Sequence, residues 1–475
     1  MSYGAIILAA GDGKRMQSKL PKVLHNFAGT PILLRIIKET LKILDLKEIV
    51  IVAGLSLEQL KIAYENVESQ NDPRIVWANQ PFPLGTADAV VTGLQYLNPK
   101  IQKVLILSGD LPLISMLSLD GLIKNTSENT IGILTANVDQ PYGLGRIVRN
   151  AQQKFLKIVE EVEANDVEKN IKEVNVGVYL FPRKFLNINL PRLNNHNNQK
   201  EYYLTEIFSF VEASKFEVYS TNPLNYLESF SINTRKQLIN LERNYNVQQA
   251  NKLIEQGVTV IDPNRLDIRG ELQIDSDVEI DINVILVGKV IVGSGAKIGS
   301  NCYIKDSTIG AGVIIEPNSV IDGAIIEQHA KIGPFARIRP NSQIKSYAKI
   351  GNFVEIKSSV VGMYSKVNHL SYIGNGNIGE KVNVGAGVIT CNYDGLNKHI
   401  TVIEDNVSIG AGCQLIAPIV IEKSATVAAG TTLLKDAPAD LLTLNKKMQY
   451  SIEWQRPIKI NDKSETYKNQ FIIEK

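Results

Sequence analysis

The chain has 475 residues, 44% hydrophobic and 21% charged, and a formal net charge of +2 from 51 basic and 49 acidic side chains. That length leaves room for two large domains or three smaller ones, each able to bury a core. Near-neutral charge gives no reason to expect nucleic acid or an anionic membrane as the main partner, so any anion site must be local.

The opening "MSYGAIILAAGDGKR" has no basic region before its short apolar run, so a first strand is expected rather than a signal peptide. No apolar run approaches the ~20 residues that span a bilayer. The three cysteines, Cys302, Cys391 and Cys413, are an odd number without CxxC spacing. Free thiols in a reducing cytoplasm are expected.

Up to about Asn233 the chain alternates apolar strands ("AIILAA", "EIVIVAG", "KVLILSGD", "IGILTA", "VGVYLF") with amphipathic stretches. In "TPILLRIIKETLKIL" the residues Ile32, Leu33, Ile36, Ile37 and Leu41 fall at helical spacing. This grammar predicts an α/β layer with a mostly parallel sheet.

The loop after the first strand, "LAAGDGKRMQSKLPKVL", is glycine-rich and basic. A dinucleotide fingerprint needs glycine where Met16 stands, and a P-loop needs Ser or Thr where Arg15 follows Lys14. A nucleotidyltransferase loop would use the backbone N–H groups of Gly11 and Gly13 toward phosphate, with Arg15 and Lys22 neutralising charge. A solvated basic turn is the plain alternative. Asp110 ends the run "KVLILSGD", at the strand end where ligands bind in open α/β sheets. From Thr234 to Gln256 the chain lacks Gly and Pro and predicts one connecting helix.

After Gly257 the period becomes six. Ile274, Ile280, Leu286, Val292, Ile298 and Ile304 start a series that resumes after five-residue steps at Ile309 and Ile326 and closes at Leu433. Six residues per repeat is the signature of a parallel β-helix whose every sixth side chain points inward, with roughly nine coils of ~18 residues. The excursion "TCNYDGLNKHITV" interrupts it with polar and aromatic groups, where function on a rigid stack is expected.

"LAAGDGKRMQSKLPKVL" resembles the signature of bacterial N-acetylglucosamine-1-phosphate uridyltransferases. The resemblance continues through "NQPFPLGTADA", "LSGDLPL", "GLGRIV", "KIVEE", "NVGVY" and "EYYLTEI". It resumes with "GPFARIRP", "GNFVEIK", "NHLSYIG", "NVGAGVITCNYDG" and "ATVAAGTTL". It implies a Rossmann-like nucleotidyltransferase domain (1–233), a linker helix (234–257) and a left-handed parallel β-helix of hexapeptide repeats (258–437). A tail (438–475) would contribute to the coenzyme A site. The implied enzyme acetylates glucosamine-1-phosphate and then uridylylates the product, as a cytoplasmic homotrimer with acyl-CoA bound between prisms.

Residue by residue, the resemblance implies that Leu8, Ala9, Ala10, Gly11, Gln80, Gly85 and Thr86 hold the uridine nucleotide, along with Lys22, Ser108 and Gly109. Asp110 and Asn233 would ligate Mg²⁺, and Gly145, Glu160 and Asn175 would hold the amino sugar. In the second half His369 becomes the general base, a role neutral imidazole fills near pH 7, with Glu355 as the acidic group that orients it. Arg339, Lys357, Tyr372 and Asn383 would bind glucosamine-1-phosphate. Asn392 and Tyr393 would complete the pocket beside acetyl-CoA, with Ala386, Ala411, Ala429 and Lys446 lining the coenzyme. Ala411 stands where serine is usual and Lys446 where arginine is, costing a hydroxyl and a bidentate fork. A rival reading is a nucleotidyltransferase whose prism only oligomerises or binds a regulator; it would not need His369, Asn392 and Tyr393 together.

Overall fold

The first apolar run forms β1 (Tyr3–Leu8), whose Ala5, Ile6 and Ile7 are fully buried, as a central parallel strand requires. A computed structural model describes residues 1–11, 13–67, 72–446, 449 and 451–455. Most of the expected coenzyme-binding tail lies outside the described residues. There follow α1 (Ile32–Leu41), β2 (Leu46–Ala53), α2 (Leu57–Val67), β3 (Ile75–Asn79), α3 (Thr86–Tyr96), β4 (Lys103–Ser108), α4 (Met116–Lys124) and β5 (Thr130–Asn137). Then β6 (Arg146–Arg149), β7 (Phe155–Val159), β8 (Glu173–Pro182) and β9 (Glu217–Thr221) complete a nine-stranded sheet.

Its main path runs β9-β5-β8-β4-β1-β2-β3, with β6 and β7 off the edge of β8. Pairing is parallel from β4 through β3 and antiparallel where β8 meets β4 and β5. α1 buries Ile32, Leu33, Ile36 and Ile37 against one face of the sheet; α3 buries Ala87, Ala89 and Val90 on the other. The chain leaves β1 toward β2 on one side and returns to β4 on the other. That reversal opens a crevice at the strands' carboxyl ends.

A 21-residue helix, α5 (Arg235–Glu255), starts in a capping box: Gln237 N–H donates to Thr234 Oγ1 at 3.2 Å and Thr234 N–H to Gln237 Oε1 at 3.0 Å. Leu238 and Leu241 belong to the sheet's core, and Ala250 and Leu253 to the core of the repeats. One helix thus serves both cores. No described helix is long and apolar enough to cross a membrane.

The six-residue series becomes a prism of two parallel sheets, with 11 and 17 strands. Residues stack 18 apart where the sequence keeps step (Ile280 on Ile298) and 17 apart where it takes a five-residue step (Ile298 on Ile315). The 11-stranded face has two rungs outside the series, at Thr259–Val260 and Leu442–Thr443. Of the aliphatic row only Ile274 stays half-buried, in the first turn of the stack.

A second inward row was not legible. Two residues before the aliphatic positions stand Ala296, Ala330 and Ala348, buried small side chains that fill the prism corners. Serines at such positions satisfy backbone groups: Ser359 Oγ donates to Lys357 O at 2.7 Å and accepts from Gly376 N–H at 2.9 Å.

Candidate functional sites

The crevice gathers residues from β1's loop, β4's end and α5's start. Lys22 Nζ lies 2.5 Å from Asp110 Oδ2 and 3.1 Å from Asn233 Oδ1, and Arg15 reaches the same Asn233 oxygen at 3.0 Å. Ser108 Oγ donates to the other Asp110 oxygen at 2.7 Å. Two hard oxygens, one ionised, therefore already converge on one cation, the Lys22 ammonium. Gly109 packs so tightly on β1 that a β-carbon there would stand 2.5 Å from the Leu8 carbonyl oxygen. Ala9 is buried, Ala10 half-buried and Gly11 exposed, so the loop turns outward there.

Gln80 continues β3 into the crevice. Its Nε2 donates to Asp88 at 2.6 Å and to Gly85 O at 3.4 Å, which leaves Oε1 as the group able to meet a ligand. Gly85 has φ of +121°, and a β-carbon there would lie 2.5 Å from Tyr202 O, so only glycine suits this corner. Thr86 Oγ1 accepts from Leu204 N–H at 2.9 Å.

The three sugar candidates also meet. A β-carbon on Gly145 would stand 3.5 Å from a Glu160 carboxylate oxygen and 3.6 Å from Asn175 Cβ, and Asn175 N–H donates to Gly145 O at 2.9 Å. Burial raises the Glu160 pKa, opposed by the Thr205 hydroxyl, which donates to Oε1 at 2.8 Å. A cavity of about 330 Å³ beside it is lined by Glu160, Tyr203 and Thr205 among others. Asp88, Thr205 and the Asn175 partner Tyr179 were missed from sequence, since isolated polar residues carry no periodic signal.

In the prism, Glu355 is turned to Arg339, at 2.8 Å, rather than to His369 as expected. The register explains it: Glu355 stacks on Tyr372, and His369 lies three residues earlier, at the preceding corner on Asn352. Lys357 sits between positive neighbours: Lys398 first, then Arg339, lower its pKa. Lys398, in the "TCNYDGLNKHITV" excursion, was also missed. The excursion is cross-tied by Asp394 and His399 at 2.6 Å, and the His399 ring with the Asn397 and Leu396 amides holds the Asp394 carboxyl well below its ordinary range.

Asn392 is buried, its Nδ2 donating to Asn375 Oδ1 at 2.7 Å, and both Asn392 and Tyr372 crowd the α-carbon face of Gly374. Tyr393 is exposed and its hydroxyl donates to Gly395 O at 2.5 Å. Asn383 stands apart, exposed on the stack between Lys366 and Ser408. Gly387 N–H reaches His369 O, Gly412 N–H reaches Ala386 O, and Gly430 N–H reaches Ala411 O, so His369, Ala386, Ala411 and Ala429 climb one corner. Exposed His369 stands at the foot of that small-residue ladder. Lys446 is exposed beyond the last rung.

A nucleotide-type crevice on one core and a hexapeptide prism on another define a two-domain transferase. Residues 5–173 match the MobA-like NTP transferase domain, 268–342 the GMPPB C-terminal domain, and 400–435 the hexapeptide repeat of succinyl-transferase. The chain is 44% identical over 98% of its length to the bifunctional protein GlmU of Methylococcus capsulatus (strain ATCC 33009 / NCIMB 11132 / Bath), covering 99% of that relative. It is 45% identical over 97% of its length to GlmU of Legionella pneumophila (strain Lens), covering 99% of it. GlmU of Azoarcus sp. (strain BH72) shares 43% over 96% of this chain and 99% of the relative. The chain belongs to the family of the bifunctional protein GlmU.

Proposed function

We propose that residues 1–233 carry uridylyl transfer and 258–437 acetyl transfer, joined by the helix at 234–257, and that the residues gathered above perform the two reactions. The enzyme acetylates glucosamine-1-phosphate from acetyl-CoA, then joins the product to UTP to make UDP-N-acetylglucosamine. The observation that carries the assignment is that one chain holds two separate charge clusters of matching chemistry. Lys22, Asp110 and Asn233 meet at the sheet crevice, and Arg339, Lys357 and Lys398 meet on the prism.

In uridylyl transfer a phosphate oxygen of the sugar phosphate attacks the α-phosphorus of UTP, and the bond to the β-phosphate oxygen breaks to release pyrophosphate. Most of the work is positioning and charge neutralisation. Gly145, Glu160 and Asn175 orient the sugar, Gln80 Oε1 faces the base, and Arg15 and Lys22 offset the gathering phosphate charge. Asp110 and Asn233 fit a divalent cation, since their oxygens already share one positive partner. Two protein oxygens suit Mg²⁺, which would take its remaining ligands from elsewhere and would neutralise phosphate charge.

In acetyl transfer His369 takes a proton from the amine, the nitrogen forms the amide bond to the acetyl carbon, and the carbon–sulfur bond breaks to release coenzyme A as a thiol. Arg339, Lys357 and Lys398 hold the sugar phosphate, with Glu355 keeping Arg339 in place. The small corner of Ala386, Ala411 and Ala429 leaves a lane for the coenzyme, and a trimer would close it with a neighbouring prism. Work in the cytoplasm, where UTP and acetyl-CoA are available, belongs to the same proposal.

Separate assays test this. Asp110→Ala should abolish pyrophosphate release and leave acetylation near wild type. His369→Ala should cut acetylation by roughly 10²–10⁴-fold, the range of positioned proton transfer, and spare uridylyl transfer. Loss of both activities in either folded variant would overturn the two-site assignment.

A further inference from the structure

β8 does not run straight past the sugar pocket. Asn175 pairs with Thr135 of β5 and Tyr179 with Ile133, so four steps along β8 cover two along β5, and Gly177 inside the bulge has φ of +87°. The Asn175 side chain ties this bulge together. Its Oδ1 accepts from Gly177 N–H at 3.0 Å, and its Nδ2 lies 2.6 Å from the Tyr179 hydroxyl oxygen. A backbone N–H can only donate, so the amide orientation is settled: oxygen toward Gly177, nitrogen toward Tyr179. The phenol oxygen is therefore an acceptor. That leaves Asn175 its second N–H and a second lone pair for a ligand.

Tyr179 is 5% exposed, and its ring packs on Phe181 and Phe208 with centroids 5.7 and 5.8 Å away. Burial raises its pKa, the Asn175 hydrogen bond offsets part of that rise and the nearby Glu160 adds to it, so the phenol stays neutral and its oxygen keeps the same acceptor role through any ordinary assay pH. The ring serves the core. The hydroxyl contributes nothing to apolar packing, and its contact is with a residue of the sugar pocket.

We propose that Tyr179 is a positioning residue for sugar recognition: its buried hydroxyl locks the Asn175 amide in the orientation that the N-acetylamino sugar phosphate reads. The proposal rests on Asn175 lying in the sugar site. Tyr179 touches neither substrate nor reacting atoms; it acts through Asn175. Without the hydroxyl, Gly177 still holds one end of the amide, so the effect on binding is moderate and confined to the sugar.

The test is steady-state uridylyl transfer with N-acetylglucosamine-1-phosphate varied at saturating UTP, for Tyr179→Phe, Asn175→Ala and the double variant. Phenylalanine keeps the ring packing, so the melting temperature should hold close to wild type. Tyr179→Phe should raise KM for the sugar phosphate about five- to tenfold, the worth of one net hydrogen bond, with kcat and KM for UTP within twofold of wild type. Asn175→Ala should raise that KM further, and adding Tyr179→Phe to it should change nothing more. A raised KM for Asn175→Ala with an unchanged one for Tyr179→Phe would overturn the positioning role and leave the sugar site standing. An unchanged KM for Asn175→Ala would remove Asn175 from the sugar site and the proposal with it. A Tyr179→Phe effect undiminished in the Asn175→Ala background would show that the hydroxyl acts elsewhere, which also overturns it.

Discussion

Replacing Lys22 by methionine keeps most of the stem and removes the ammonium that joins Asp110 to Asn233. Both members of the ion pair are largely buried, with side-chain exposures of 13% and 10%, so solvent screens the pair only partly. Asp110 would keep the Ser108 hydroxyl on one oxygen and lose its charged partner on the other. Hydrogen bonds to charged groups contribute roughly 1.5–3 kcal/mol each. Losing about 2–3 kcal/mol from the transition state lowers uridylyl kcat/KM about 30- to 150-fold. Pyrophosphate release at saturating Mg²⁺ measures this, and coenzyme A release by the same sample reports on the other half. The concentration of Mg²⁺ for half-activation should not rise, because the ammonium that shares the two oxygens is gone. A kcat/KM within threefold of wild type would refute the role given to Lys22.

Glu160 gives a prediction with a pH sign. Burial raises its folded pKa above the unfolded value, so stability falls as pH climbs from the ordinary carboxylate pKa through the raised one. Glu160→Gln should therefore raise the melting temperature more at pH 8 than at pH 5, while KM for the sugar phosphate increases about tenfold through loss of a charged acceptor; a larger gain at pH 5 would contradict the burial argument. Lys398→Met should raise KM for glucosamine-1-phosphate about tenfold, as loss of a charged hydrogen bond would, and lift the Lys357 pKa back toward its ordinary value. Measured KM against ionic strength, with a shallower slope than wild type, would bear this out; an unchanged KM would take Lys398 out of the phosphate site.

Periodicity carried most of the fold into view. Burial repeats along a strand, helix or coil with a fixed step, so one string of residues is enough to show Ile280, Ile298 and Ile315 as one inward row and Ile32, Ile36 and Ile37 as one helix face. The expected coil of ~18 residues holds for Ile280 on Ile298, and a five-residue step shortens it to 17 for Ile298 on Ile315. The small row of Ala296, Ala330 and Ala348 escaped notice because alanine is equally at home inside and out. Polar contacts have no period. Lys22 and Asn233 are 211 positions apart and meet at 3.1 Å only because strand order brings the loop after β1 beside the start of α5. Composition and spacing alone left that meeting open; likeness to a family supplied it. The same likeness pairs Glu355 with His369, whereas the coil register turns it to Arg339. Tyr179 read as one more apolar strand residue in "VGVYLF", and its hydroxyl found Asn175 because a bulge at Gly177 shortened the distance. Apolar spacing in the chain set the large aliphatic rows that are buried and the repeat in which they recur. Which polar atoms then face each other was decided by tertiary structure, because hydrogen bonds depend on register and side-chain direction to within a fraction of an ångström, whereas burial of apolar area is indifferent to direction.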